Sequence, residues 1–174
     1  MSVEVKSVPA PQRSEADRYR AELALLRTIV TSISRSAELD QILHLALGTI
    51  VDWFGSGFAG LVLLADRWHQ GYEVAATVGL SSEDMPDRVF VDECLCQQVL
   101  DPGMPIFQKD CPGDTCHHAL LESRDHSHLN FPLIARQSAV GTVCVFCPPD
   151  FEIDILDLSL WEEIGRLIGR AIED

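Results

Sequence analysis

Residues 39–64, LDQILHLALGTIVDWFGSGFAGLVLL, pass from a broad helical face to an apolar run of strand length. Asp40 opens the helix, and Ile42, Leu43, Leu45, Ala46, Leu47, Ile50, Val51 and Phe54 spread over one wide side of it, as in a helix packed into a core. Gly55 stops it. Phe58 to Ala65 is nearly all apolar. Tyr72 to Val78 is a second strand behind a turn at Asp66 to Gly71, so the two read as a hairpin. Gly79 to Asp87 is polar, holds Pro86 and reads as a loop; Arg88 to Val91 reads as a short strand.

Further along, His128 to Ala135 and Ala139 to Cys147 are two more strands, joined by a tight turn at Arg136 to Ser138 and ended by Pro148 and Pro149. An amphipathic helix closes the chain. Ile153, Leu156, Leu160, Ile164, Leu167 and Ala171 form one stripe, with Trp161, Ile168 and Ile172 beside it. It reaches Asp174 without a cap, as a helix continuing into a further domain would.

Before the opening stretch, residues 1–13 carry two prolines, small residues and mixed charge, and are expected to form a flexible tail. Residues 14–37 read as a helix, with Ser14 as the cap and Asp17 near the capping-box position. Tyr19, Leu23, Leu26, Val30, Ile33 and Ala37 alternate spacings of four and three, a heptad seam of about two and a half repeats, with Leu25 and Ile29 beside it. Two uses of the seam stay open: packing on its own domain, or dimerisation and signalling with a second subunit.

At 174 residues and 47% apolar content, the chain can bury one full core without disulfide support. A net charge of -14 repels phosphate backbones and anionic headgroups, so neither nucleic acid nor membrane is an expected partner. No apolar run approaches the roughly 18 to 20 residues of a membrane span, and the N-terminus has no signal-peptide core. A cytoplasmic location is expected, where clustered cysteines act as metal ligands or redox thiols more often than as disulfides.

The chemistry concentrates between Asp92 and Phe131, DECLCQQVLDPGMPIFQKDCPGDTCHHALLESRDHSHLNF, with four of the six cysteines and four of the six histidines. Cys96 to Leu100 reads as a short helix ended by Pro102 and Gly103, and Pro105 to Phe107 as extended. Lys109 to Thr115 reads as a loop, and Cys116 to Ser123 as a helix. Cys94, Cys96, Cys111 and Cys116 stand among Asp, Glu, Gly and Pro rather than in apolar runs, and four thiolates can complete a zinc site or hold an iron-sulfur cluster. Their spacing matches no common zinc ribbon or ferredoxin. Redox thiols without metal, and packing, are the other readings.

His126 and His128 are two apart at a strand start, share a face, and can add nitrogen ligands to iron or zinc; the alternative is hydrogen bonding on a surface or in a pocket. Cys144 and Cys147 are three apart on a strand, face opposite sides and read as core.

The order helix, helix, two strands, cysteine-rich middle, two strands, helix resembles the GAF domain over about Leu39 to Asp174. The likeness is carried by residues 39–64, by NFPLIARQSAVGTVCVF (130–146) and by LSLWEEIGRLIGRAIED (158–174). It implies an α+β fold: a central antiparallel sheet with the terminal helices on one face and a ligand pocket on the other, residues 38–174 forming a sensory domain. CLCQQVLDPGMPIFQKDC with HSHLNFPL further resembles cysteine-rich GAF domains of bacterial signalling proteins, including histidine kinases and diguanylate cyclases. Gln97 stands where that set has glycine, and HSHL replaces its HGHY.

The resemblance implies a sensor that relays redox or ligand state through its terminal helices, as a homodimer, to a kinase or cyclase output domain. An iron-sulfur cluster or iron is the expected cofactor, with zinc as the alternative. CysHis at 116–117 resembles the bilin-attachment step of phytochrome-like domains in two residues only. Two alternatives stand beside the metal sensor: a thiol enzyme of the free methionine sulfoxide reductase kind, whose resolving-cysteine segment is not matched here, and a metal-free pocket for a small molecule. No phosphate loop, HExxH or GxSxG is found, so a sensor module is expected rather than an enzyme.

Overall fold

The computed structural model describes residues 14–36, 38–66, 71–80, 87–90, 97–100, 103–111, 125–154 and 157–173. Helices α1 (Glu15–Arg35) and α2 (Leu39–Phe54) are followed by strands β1 (Ala59–Asp66), β2 (Gly71–Val78) and β3 (Arg88–Phe90). A single-turn helix α3 (Gln97–Leu100) leads to β4 (Ile106–Cys111), β5 (His126–Ala135), β6 (Ser138–Cys147) and helix α4 (Leu158–Glu173). The strands make one sheet in the order β3-β2-β1-β6-β5-β4, antiparallel throughout. The fold is α+β, as expected.

Local chemistry sets the helix ends. The Ser14 hydroxyl accepts the Asp17 backbone N–H at 3.2 Å and donates to the Asp17 carboxylate at 2.7 Å, which fixes the start of α1. At the other end of the helical pair, Gly55 has a φ of 102°, a conformation that side chains resist, and its N–H closes on the Val51 carbonyl at 3.1 Å.

Strand alternation divides the buried side chains between the two faces of the sheet. Leu129, Phe131, Leu133, Val143, Val145 and Cys147 join Leu43, Leu47 and Ile50 of α2, Leu25 and Ile29 of α1, and Trp161, Ile164 and Ile168 of α4 in one core. Leu61, Leu63, Tyr72, Cys144 and Phe146 form a second cluster on the opposite face, where Leu100 of α3 packs. Thus α1, α2 and α4 share one face, and α3 packs on the other.

Three expectations change, and on α1 the structure separates two apolar sets whose use was open. Lys109 to Cys111 continue β4 instead of opening a loop, because β4 stays paired with β5 as far as Cys111 opposite His126; the turn formers begin only at Pro112. Strand β5 starts two residues early, at His126. Helix α4 starts at Leu158, and Ile153 precedes it in non-helical chain. On α1, Leu25 and Ile29 enter the core, Leu26 and Ile33 lie partly buried against it, and Tyr19, Leu23 and Val30 of the heptad seam are exposed. The expected tail at 1–13 and the helix expected over 116–123 lie outside the described residues.

The buried side of α4 also differs from the apolar stripe. Gly165 and Gly169 belong to it, so the helix backbone sits directly on β5. A β-carbon at Gly165 would lie 2.1 Å from the Pro132 carbonyl oxygen, and one at Gly169 would lie 2.3 Å from that of Ile134. Neither gap admits a methyl group. Gly169→Ala is expected to cost about 2 to 4 kcal/mol by forcing α4 off the strand. Gly48→Ala in α2, where the added carbon meets nothing within 4 Å, is expected to stabilise by about 0.5 to 1 kcal/mol. Denaturant midpoints of the two variants check this, and equal midpoints would refute the assigned contact.

Candidate functional site

Strand β5 carries the candidate site on its remote face. Leu129, Phe131 and Leu133 point to the helices, so His126, His128 and Asn130 alternate onto the other side. All three are buried, with His126 at 4% and His128 at 2% exposure. The two imidazoles stand 5.7 Å apart between ring centres, with their planes at 67°, and His126 meets the Phe146 ring at 5.7 Å. The neighbouring cluster is apolar apart from a thiol and a phenol: Leu61, Leu63, Tyr72, Cys144 and Phe146. Strand β6 sets Phe146 opposite His128 and Cys144 opposite Asn130, and β4 sets Gln108 opposite His128.

Polar side chains placed this deep are costly unless hydrogen-bonded or coordinating. Here three of them follow one another at alternate positions of a single strand. Asn130 was not among the residues expected in the site. Its signal was the same period of two that paired the histidines, carried one step further along HSHLN.

The expected cysteines divide between described and undescribed chain. Cys111 is the last residue of β4, and its backbone lies opposite His126 after an irregularity in register that begins at Gln108. Cys94, Cys96 and Cys116, together with His117 and His118, lie outside the described residues. Helix α3 begins one residue after Cys96, and its Leu100 packs into the remote-face cluster, so the chain meets the histidine-bearing face just beyond the CxC step. Among the described residues, no three or more His, Cys, Asp or Glu side chains group as metal ligands. The histidine pair and the backbone of Cys111 are the described part of the expected set.

A cleft of about 420 Å³ opens at the end of the sheet, where Phe58, Leu80, Asp125, His126, Phe146 and Cys147 meet. It gives His126 a route toward solvent. Cys144 and Cys147 are buried on opposite faces, as the spacing predicts. Burial pushes the Cys147 thiol up to about 12, opposed only in part by a hydrogen bond from the Leu129 backbone.

The family model described as the GAF domain matches residues 36–173. Among solved structures, the GAF domain of a phosphoenolpyruvate-protein phosphotransferase from Coxiella burnetii superposes with a TM-score of 0.74 at 20% identity, over 88% of this chain and 94% of that one. The GAF domain of the Acinetobacter phosphoenolpyruvate-protein phosphotransferase gives 0.74 at 19%, over 87% and 92%. Free methionine-R-sulfoxide reductase from Neisseria meningitidis, in complex with its substrate, gives 0.72 at 18%, over 95% and 96%. At these identities the likeness is one of fold. A comparison with curated proteins finds no match. No helix among the described residues is long and apolar enough to cross a membrane.

The raised Cys147 thiol yields a pH prediction. The folded chain holds this proton to a higher pH than the unfolded chain does. The thiol's contribution to stability is therefore complete below its ordinary value of 9.0 and is lost as pH rises towards 12. Cys147→Ala is expected to flatten the fall of the denaturant midpoint across that interval. Alkylation of the native protein in mildly alkaline buffer, mapped by mass spectrometry, is expected to spare Cys147. Ready native-state modification of Cys147 would refute its assigned burial.

Proposed function

The chain belongs to the GAF domain family, a sensory and regulatory fold, and from that premise we propose that its remote sheet face holds a metal centre. An iron-sulfur cluster or iron is the favoured occupant, with zinc as the alternative. The ligands come from Cys94, Cys96, Cys111, Cys116, His126 and His128.

One observation carries this reading: two imidazoles buried side by side against an apolar wall. Two imidazoles sharing one tetrahedral metal place their ring centres about 5 Å apart, close to the 5.7 Å here. Chain connectivity favours thiolates at the same place. Cys111 lies opposite His126 in the ladder, Cys116 is five residues on, and the CxC step runs straight into α3. Mixed sulfur and nitrogen donors suit iron-sulfur clusters and zinc far better than magnesium or calcium.

Bound there, iron supplies a redox couple whose potential rises as imidazole replaces thiolate. The chain's own part is to hold neutral imidazoles in a fixed orientation and to limit water to the cleft beside His126. State is then relayed through the terminal helices to an output domain, in the manner of bacterial signal transduction.

Protein purified without oxygen is expected to be brown and to contain iron with acid-labile sulfide. His128→Ala and Cys94→Ser should each lose most of that metal and its near-ultraviolet and visible absorption. Colourless protein with neither iron nor zinc would overturn the proposal. Thioredoxin-coupled turnover of free methionine sulfoxide would then distinguish a thiol enzyme from a metal-free binding pocket.

A further inference from the structure

Where α2 ends and α4 begins, a cavity of about 300 Å³ opens on the helix side of the sheet, on the face opposite the histidines. Its walls are aromatic: Trp53 and Phe54 end α2, Phe151 follows β6, and Trp161 lies in the first turn of α4. The rings brace one another, with Trp53 edge-on to Phe54 at 5.1 Å and Phe151 edge-on to Phe54 at 5.8 Å. Trp53 keeps 36% of its surface exposed. Three carboxylates, Glu152, Asp154 and Asp157, line the same opening.

We propose that this cavity binds a small organic cation of the quaternary ammonium class, with choline as the representative compound. An indole is the best ring for attracting a cation, and a quaternary ammonium meets aromatic walls without giving up hydrogen bonds to water. The carboxylates supply charge that the protein's own cations offset only in part. Lys109 reaches Glu152 at 2.5 Å in an exposed pair, which is worth little and can exchange. Burial pushes the Asp157 carboxyl above the ordinary carboxylate range; Arg18 opposes this, and the Asp154 carboxylate adds to it. A further cation beside Asp157 would relieve both effects. Trp161, fully buried, has an indole N–H with no acceptor among the described residues, a costly condition that the choline hydroxyl oxygen would mend.

Other ligand classes fit less well. Calcium and magnesium need about six or more oxygen ligands around one point, and among the described residues these carboxylates do not group as metal ligands. An anion or a zwitterion would bring its own carboxylate against Asp154 and Asp157. The volume of about 300 Å³ is at the small end of ligand pockets, which run from roughly 300 to 1,000 Å³, and so suits a compact cation rather than a nucleotide. The cavity and the histidine pair lie on opposite faces of the sheet, so this site stands or falls separately from the metal centre.

Isothermal titration calorimetry of the full chain with choline chloride, at an ionic strength held constant with sodium chloride, tests it. Saturable binding of one choline per chain is expected. The neutral analogue 3,3-dimethyl-1-butanol, which keeps the shape and the hydroxyl but replaces the charged nitrogen by carbon, should bind at least about tenfold more weakly. Trp53→Ala should weaken choline binding by about fivefold or more. Asp157→Asn should weaken it as well; this variant keeps the size of the side chain and tests the charge without disturbing the aromatic packing. Both variants should retain the far-ultraviolet helix signal. No saturable binding at millimolar choline overturns the proposal, as does equal affinity for choline and its neutral analogue. Binding that neither Trp53→Ala nor Asp157→Asn weakens overturns the assigned cavity.

Discussion

The contact between the α4 backbone and β5 is the constraint on which the rest of the structure depends. Strand β4 pairs with β5 only as far as Asn130, and beyond that point the carbonyl oxygens of Pro132 and Ile134 lie against Gly165 and Gly169. Proline suits this place because it has no N–H to leave without a partner where the ladder stops. With α4 pressed this close, Trp161 is driven fully into the core. It stacks on Phe54 at 5.0 Å, meets Trp53 edge-on at 5.5 Å and lies 5.6 Å from Phe131 of β5. The aromatic junction that fastens α2 to α4 therefore follows from two residues that have no side chain.

The same strand serves both faces of the molecule. His126, His128 and Asn130 occupy the remote face at its start, and Pro132 and Ile134 seat the helix near its end. A close-packed interior has little slack to absorb displacement, and a contact in which backbone meets backbone has less than one made through flexible side chains. Any occupant that repositions the histidines acts on an element to which α4 is directly fitted. This makes β5 the shortest physical link between the candidate site and a terminal helix.

Much of this architecture was legible in the sequence because it is written in periodicity and caps. The wide apolar face of α2 ended by Gly55, the two hairpins and the Ser14 cap are local signals, and each of these elements formed within two residues of its expected place. What could not be read depends on distant partners. Lys109 to Cys111 look like loop in isolation and become strand because β5 lies alongside. The buried side of α4 was misplaced toward Leu167 and Ala171, since glycine adds nothing to an apolar count yet marks the closest approach. In the site, the spacing of His126 and His128 revealed a shared face. Their depth was hidden, because among the described residues it depends on β6 and α3, which come from distant parts of the sequence.

Helix α1 shows why one periodic signal can have two meanings. A core-facing stripe and an outward stripe obey the same helical geometry, and in this sequence they interleave: Leu25 and Ile29 between Leu23, Leu26 and Val30. Hydrophobicity alone sums them into one broad face. Packing separates them, since the set that fits against Leu43 and Leu47 of α2 is consumed by the fold and the remainder is left over.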